Sequence, residues 1–260
     1  MYSRVRLFAG GVALSAALLA GSMAGAVTAN LTMLDFGRTD LAAARGSLDG
    51  FLAGHRVQRL AAETFEGRAA WNGSTGTANP AGTRVGSFAA TGSAGSGNSV
   101  VGSGRDLHVR GDNSMAWGRY DTDALPAGLL GGNWLDSNDN TGMEWTIAGL
   151  GGFNFVSFFL NDVADVGGKF SMQVGGQSFA NLAGAGGRLA NGNLHLVMIE
   201  LSETVTALTL NLGHDRTNDG FGIDGAVVAQ IAPVPLPAAA GLLMGGLALL
   251  GGLARRRRPA

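Results

Sequence analysis

Residues 205–212 read Val-Thr-Ala-Leu-Thr-Leu-Asn-Leu. Leu208, Leu210 and Leu212 alternate with Thr209 and Asn211, a period of two that buries one face of a strand and wets the other. Upstream, residues 153–160 read Phe-Asn-Phe-Val-Ser-Phe-Phe-Leu, apolar on both faces, as expected of a strand covered on both sides. Glu144–Ala148, Phe153–Asn161, Lys169–Val174, Leu194–Leu201, Val205–Leu212 and Phe221–Ala229 form a series of short apolar runs, and Gly, Asn or Asp punctuates nearly every gap. No strand alternates with a helix at the βαβ interval, which argues against a doubly wound or barrel enzyme. The pattern predicts an all-β fold, an antiparallel β-sandwich of jelly-roll type.

Toward the N-terminus, residues 39–54 carry the body's one helical pattern. Thr39 or Asp40 can cap it, and Leu41, Leu48, Phe51 and Leu52 can share a face. Val57–Phe65 reads as a strand. Residues 71–104 are rich in Gly, Ser, Thr and Asn and are expected to be long loops, with Arg84–Ala89 and Asp106–Arg110 as strands nearby. The 260 residues include 44 Gly and no Cys. That composition excludes a disulfide framework, a Cys-ligated metal and a cysteine nucleophile.

Both ends read as addresses. Residues 1–26 have the form of a secretory signal: Arg4 and Arg6, an apolar run from Leu7 to Leu19, and cleavage-site residues Ala24 and Ala26. Val27-Thr28-Ala29 is a second candidate for cleavage. At the other end, Val234-Pro235-Leu236-Pro237-Ala238 precedes an uncharged run to Ala254, and Arg255, Arg256, Arg257 and Arg258 follow at once. The run predicts a short transmembrane helix, and the four arginines, as a stop-transfer signal, hold that end in the cytoplasm. The expected domains are therefore a signal peptide at 1–26, an extracellular body at 27–232 and a sorting segment at 233–260.

That tripartite tail resembles the VPLPA variant of the PEP-CTERM sorting signal of exported proteins in Gram-negative bacteria. The resemblance implies recognition by an exosortase, a membrane-embedded cysteine transpeptidase or protease. It further implies an inner-membrane-tethered precursor, removal of the tail and delivery to the cell surface or an exopolysaccharide matrix. It covers about 27 residues and is silent on what the body does. A helix followed by a strand ending Phe65-Glu66-Gly67 is similar to the start of many domains that carry such tails. Residues 219–225, Asp-Gly-Phe-Gly-Ile-Asp-Gly, resemble the closing strand of their jelly rolls, with Gly225 where a second Asp is usual.

Six of the 18 basic residues lie in the two signals and all 19 acidic residues lie between them, so the body carries about −7. Nucleic acid, which requires a basic surface, is excluded as a partner. Among catalytic motifs, H-E-x-x-H, G-x-S-x-G and the P-loop are all missing. His195 is expected to point outward between buried Leu194 and Leu196.

Asp136, Asn138 and Asn140 place oxygens at i, i+2 and i+4, the ligand order of calcium loops, although Gly142 and Glu144 fall at the wrong places for an EF-hand. Two roles are open for this stretch: an irregular structural Ca2+ site, or an Asx-rich turn that satisfies its own backbone. Asp219 and Asp224 form a separate cluster, where the jelly-roll resemblance implies that a closing-strand Asp can help hold a structural cation; the alternative is that Asp219 belongs to the turn and Asp224 pairs with an Arg or a backbone group. Trp134, just before the polar turn, is expected to be exposed and able to stack on a sugar, whereas Trp145 belongs to the core. The first functional reading is an exported, non-catalytic structural or adhesive surface protein. The alternative is a secreted carbohydrate-binding module, and the third reading is a secreted hydrolase.

Overall fold

The computed structural model describes residues 27–37, 40–111, 118, 119 and 132–232. The segments expected to be a signal peptide and a sorting signal with its transmembrane helix, and Thr39, lie outside the described residues. Among those described, no helix is long and apolar enough to cross a membrane. The elements run β1 (Ala29–Phe36), α1 (Leu41–Gly54), β2 (Val57–Glu63), β3 (Ser87–Thr91), β4 (His108–Arg110), β5 (Trp134–Asp136), β6 (Gly142–Asn161), β7 (Phe170–Val174), β8 (Gln177–Ala183), β9 (Leu194–His214) and β10 (Gly222–Ile231). Every named pairing is antiparallel. Among the described residues the fold is all-β with one short helix.

Four of the expected strands are two. Glu144–Ala148 and Phe153–Asn161 are the arms of β6, and Leu194–Leu201 and Val205–Leu212 are the arms of β9. The two strands pair along both arms, and their register breaks between Ala148 and Phe155. Gly149 and Gly151 sit there at φ +76° and +78°, a left-handed backbone that glycine adopts without strain. The ribbon folds over at this point. Trp145 on one arm of β6 meets the edge of Phe158 on the other, with ring centroids 5.9 Å apart.

Folding the ribbon makes two layers from one hydrogen-bonded sheet. One layer holds β1, the first arm of β9, the second arm of β6, β10 and β2, with β5 and β4 continuing beyond the start of β10. The other holds β3, the first arm of β6, the second arm of β9, β7 and β8. The core facings switch parity across the fold. Trp145 and Ile147 precede it on β6, and Val156, Phe158 and Leu160 follow it; all five belong to one buried cluster.

A second cluster lies between the first layer and α1. Ala44 and Leu48 are fully buried there against Phe155, Phe159, Leu196 and Val227, and Phe51 stacks on Phe155 at 4.8 Å. The helix is thus positioned by its apolar face rather than by its cap. Asp40 occupies the N-cap without capping through its side chain, and Asp40 Oδ2 instead accepts the Gly37 N–H. Because both long strands double back, their far ends meet at one end of the body. Loops 92–107, 137–141, 162–169, 184–193 and 215–221 gather there, tied by bonds such as Ser137 N–H to Phe221 O, Thr141 N–H to Ser93 O and Asp162 N–H to Asn193 O.

Trp145 anchors the core as expected. It is fully buried, stacks on Phe88 at 5.1 Å and donates its Nε1–H to the Val85 carbonyl at 3.0 Å. Trp145→Ala is expected to cost about 3–5 kcal/mol, read as a lower urea midpoint with an unchanged slope.

Candidate functional site

The gathered loops enclose the densest set of charged side chains among the described residues. Asp136 ends β5, and a tight turn follows it. Asn138 N–H donates to Asp136 Oδ1 at 2.9 Å, and Asn140 N–H to Ser137 O at 3.1 Å. Asn138 and Asp139 hold φ near +55° and +59°, a conformation Asn and Asp tolerate better than other side chains. Ser137 bonds Phe221 twice, N–H to O and Oγ from N–H, both at 2.9 Å, which locks the turn to the entry of β10.

The turn's side chains clamp the neighbouring loop. Asn138 Oδ1 accepts the Val101 N–H at 2.8 Å, and its Nδ2 donates to Val101 O and Asp106 O, each at 3.0 Å. Asn140 Nδ2 donates to Ser137 O at 2.8 Å. Ser99 Oγ donates to Asp139 Oδ2.

Arg119 sits between the carboxylates, its side chain 5% exposed. Its Nη1 donates to Asp136 Oδ1 at 2.6 Å, its Nη2 lies 2.7 Å from Asp139 Oδ1, and its Nε lies 3.8 Å from Asp162 Oδ2. The second oxygen of Asp136 faces Arg110 Nη1 at 3.3 Å. The Nη2 contact with Asp139 is an ion pair without hydrogen-bond alignment, since Asp139 Oδ1 has no aligned donor. Burial would lower the pKa of the guanidinium; Asp136, Asp139 and Asp162 outweigh it, and the group is held more firmly protonated than usual.

Asp162 is in a different state. Its Oδ1 accepts the Gly192 N–H at 2.8 Å, yet burial pushes its pKa up to about 8, and Asp165 and Asp219 add to the rise. Asp165, half-buried beside Asp219, is raised to about 6, again chiefly by burial. Asp219 accepts the Gly168 N–H, and its other oxygen lies 3.7 Å from His214 Nδ1. His214, enclosed by Phe170 and Phe221, has its pKa lowered by burial against the pull of Asp219. A cleft of about 190 Å3 opens over Asn98, Ser99, Arg119, Asp139, Asp162 and Asp165.

The calcium constellation is therefore not assembled from Asp136, Asn138, Asn140, Asp219 and Asp224. Two guanidinium groups take the oxygens of Asp136, and Asn138 and Asn140 spend their amides on backbone groups. Asp224 lies within β10 opposite Phe159, with Oδ1 on the Gly225 N–H. Among the described residues, no three His, Asp or Glu side chains are placed to hold one metal ion. The geometry is that of the Asx turn, with arginine where a cation was expected.

Trp134 differs from expectation too. It pairs with Arg110 inside the sheet and is 1% exposed, so its face is closed to a sugar. His195 is not outward-facing: it shares the face of its strand that carries Val197 and Ile199 of the main core, it is 4% exposed, and its ring nitrogens bond Asp35 Oδ1, beside it on β1, and Asn193 Oδ1. The Glu63–Gly67 segment is a loop clamp. Glu63 accepts the Phe65 and Arg84 N–H groups, and Glu66 accepts the Asn133 N–H at 2.6 Å.

No protein-family model matches the chain, and no curated protein does. Among solved structures, the crystal structure of the Agl-KA catalytic domain is similar over 66% of this chain and 30% of its own, at 14% identity and a TM-score of 0.31. The chain thus spans under a third of that protein, and a likeness of this degree carries no argument about fold or activity.

Two outcomes follow from the geometry. Arg119→Met leaves Asp136 and Asp139 buried without their main counter-charge and is expected to cost about 3–5 kcal/mol, measured by urea unfolding at pH 7. Asp162 holds its proton more tightly folded than unfolded, between its ordinary 3.8 and about 8. Its contribution to stability is therefore full below pH 4 and is lost as the pH rises through 8. Asp162→Asn is expected to melt above the wild type at pH 8.5 and to show a flatter dependence of Tm on pH from 5 to 8.5. Equal Tm values at pH 8.5 would contradict this.

Proposed function

We propose that this chain is an exported protein, sorted through its C-terminal tail to the cell surface or extracellular matrix, where the body acts as a non-catalytic structural or adhesive module. Signal peptidase removes residues 1–26. An exosortase reads Val234–Ala238 while the following helix and Arg255–Arg258 tether the precursor in the inner membrane. We take the body to be a jelly-roll-like β-sandwich, a reading supported by its folded antiparallel ribbon and its two layers.

The observation that carries the structural role is the way the charged end spends its groups. Arg119, Arg110, Asn138 and Asn140 bind carboxylates and backbone of their own chain. Their effect is to fasten long Gly-rich loops in a protein without disulfides. Cleavage after Ala26 also suits the sheet. β1 begins at Ala29, and Thr28 N–H already bonds Ser202 Oγ at 3.0 Å, so cutting at the second candidate, after Ala29, would strip the start of the strand.

The test is the intact mass of the protein recovered from its own cells and medium, compared with a chain lacking residues 234–260. A product starting at Val27 and ending near Pro237 or Ala238, or carrying an adduct there, is expected. A full-length C-terminus retaining Arg255–Arg258 in the inner membrane would overturn the sorting.

A further inference from the structure

Two arginines at the charged end are spent on no carboxylate. Arg188, in loop 184–193, donates its Nε–H to the Asp165 carbonyl at 2.7 Å. Arg216, in loop 215–221, donates from Nη1 to the Val166 carbonyl at 2.9 Å. Gly167 lies between them. A Cβ placed there would stand 3.2 Å from Arg188 Cγ and 3.4 Å from Arg216 Nη1, so the two side chains are neighbours over one loop. Gly167 holds φ +103°, a backbone that suits glycine and strains any residue with a side chain. Both arginines are exposed, and among the described residues neither has an ion-pair partner.

The acids nearby are engaged elsewhere. Asp165 is half-buried and hydrogen-bonded to Asp219, and Asp215 Oδ1 accepts the Lys169 N–H at 2.7 Å. Lys169 is itself exposed and adds a third cation beside the pair. Like charges held together repel, and the body has acid to spare, yet a backbone carbonyl rather than a carboxylate fixes each guanidinium. Each has five N–H donors and spends one of them on the protein. The groups are thereby held in place without being neutralised.

Such a pair fits an anion from outside. A planar carboxylate or a sulfate accepts two parallel N–H bonds from one guanidinium. A neutral polymer gains nothing from the charge. A single small anion at an exposed site is weakly held in salt, whereas a polymer that repeats the anion engages Arg188, Arg216 and Lys169 together. The fold chooses among charged surfaces. β10 starts at this end with Gly222 and finishes ten residues on at Ile231, about 30 Å away. Ala232 N–H then bonds Arg56 O, directly before the tail. The tail therefore leaves the body at the opposite end, and a membrane holding it lies on the far side from the arginines. Nucleic acid needs a broad basic surface, which a body of about −7 lacks. We propose that Arg188 and Arg216 bind the carboxylate or sulfate groups of an acidic extracellular polysaccharide. The proposal rests on the export reading for the polymer's presence and for the tail's place in a membrane; the binding itself needs no sorting.

The test is binding of the full chain to immobilised alginate, which carries carboxylates, and to dextran sulfate, with dextran as the uncharged reference and duplex DNA as the phosphate polymer. Binding to alginate or to dextran sulfate is expected, and the tighter of the two tells carboxylate from sulfate. Arg188→Gln combined with Arg216→Gln is expected to raise Kd at least about tenfold, as loss of charge-assisted bonds from two guanidiniums implies. Arg56→Gln combined with Arg84→Gln removes the same charge from exposed arginines elsewhere and is expected to change Kd by less than about threefold, because distant exposed charges are screened. Arg255–Arg258 are common to every variant and cancel in the comparison. Arg188→Lys combined with Arg216→Lys keeps the charge and loses the fork; its affinity is expected to fall between wild type and the Gln pair, and it serves as the readout where the Gln pair does not fold. No binding to either acidic polymer, equal binding to dextran, equal loss in the two Gln pairs, undiminished binding by the Lys pair, or tighter binding to DNA would overturn the proposal. Failure here leaves the C-terminal mass result standing, and failure of sorting leaves the binding result standing.

Discussion

A buried guanidinium cannot be left alone. Moving an ion of that size out of water costs several kcal/mol even after relaxation, so Arg119 is kept inside by the aspartates around it, chiefly Asp136 and Asp139. That requirement reaches across the molecule. Asp136 must end β5 beside β10, and Asp139 must stand in a left-handed turn, which Asn138 stabilises by gripping loop 92–107. A protein with disulfides could staple such loops covalently. This chain has no cysteine, and its long Gly-rich connections are held instead by ion pairs and side-chain-to-backbone bonds at one end.

The end exists because two strands are folded. β6 and β9 run 20 and 21 residues, well beyond an ordinary strand. The glycine-rich stretch at 149–152 bends the pair so that one ribbon supplies both layers. Each long strand then starts and finishes at the same end, and the loops attached to those ends have no choice but to meet. The charged cluster is thus a consequence of the fold-over, while the second layer turns the apolar residues of its strands inward.

Much of this was legible from local pattern. Alternation at 205–212 marked a half-wet strand, the two-sided run at 153–160 marked a central one, and the 3.6-residue spacing at 41–52 marked the helix. The fusion of strands was hidden, because Gly149–Gly152 reads equally as a turn between strands and as a bend within one. β1, β5 and β8 were hidden for other reasons. β1 adjoins the expected cleavage site, β5 is three residues long, and β8 carries mixed polar residues at a sheet edge. Trp134 and His195 were misplaced for one reason: sequence shows what a strand can bury, not whether another strand covers it. Arg119 was invisible, since nothing local distinguishes an arginine that will meet three distant aspartates.

The net charge of the body also changes meaning once the fold is known. A surplus of acid suggests a negative surface that would repel acidic polymers and draw cations. Among the described residues, however, Glu63, Asp136, Asp139, Asp162, Asp219 and Asp224 are buried, against only Arg110 and Arg119. Much of the surplus is therefore inside, where part of it is neutralised by the arginines and part, at Asp162, by a bound proton at neutral pH. The field reaching solvent is weaker than composition implies, and salt screens it further. A surface of that kind discriminates by hydrogen bonding and shape rather than by long-range attraction.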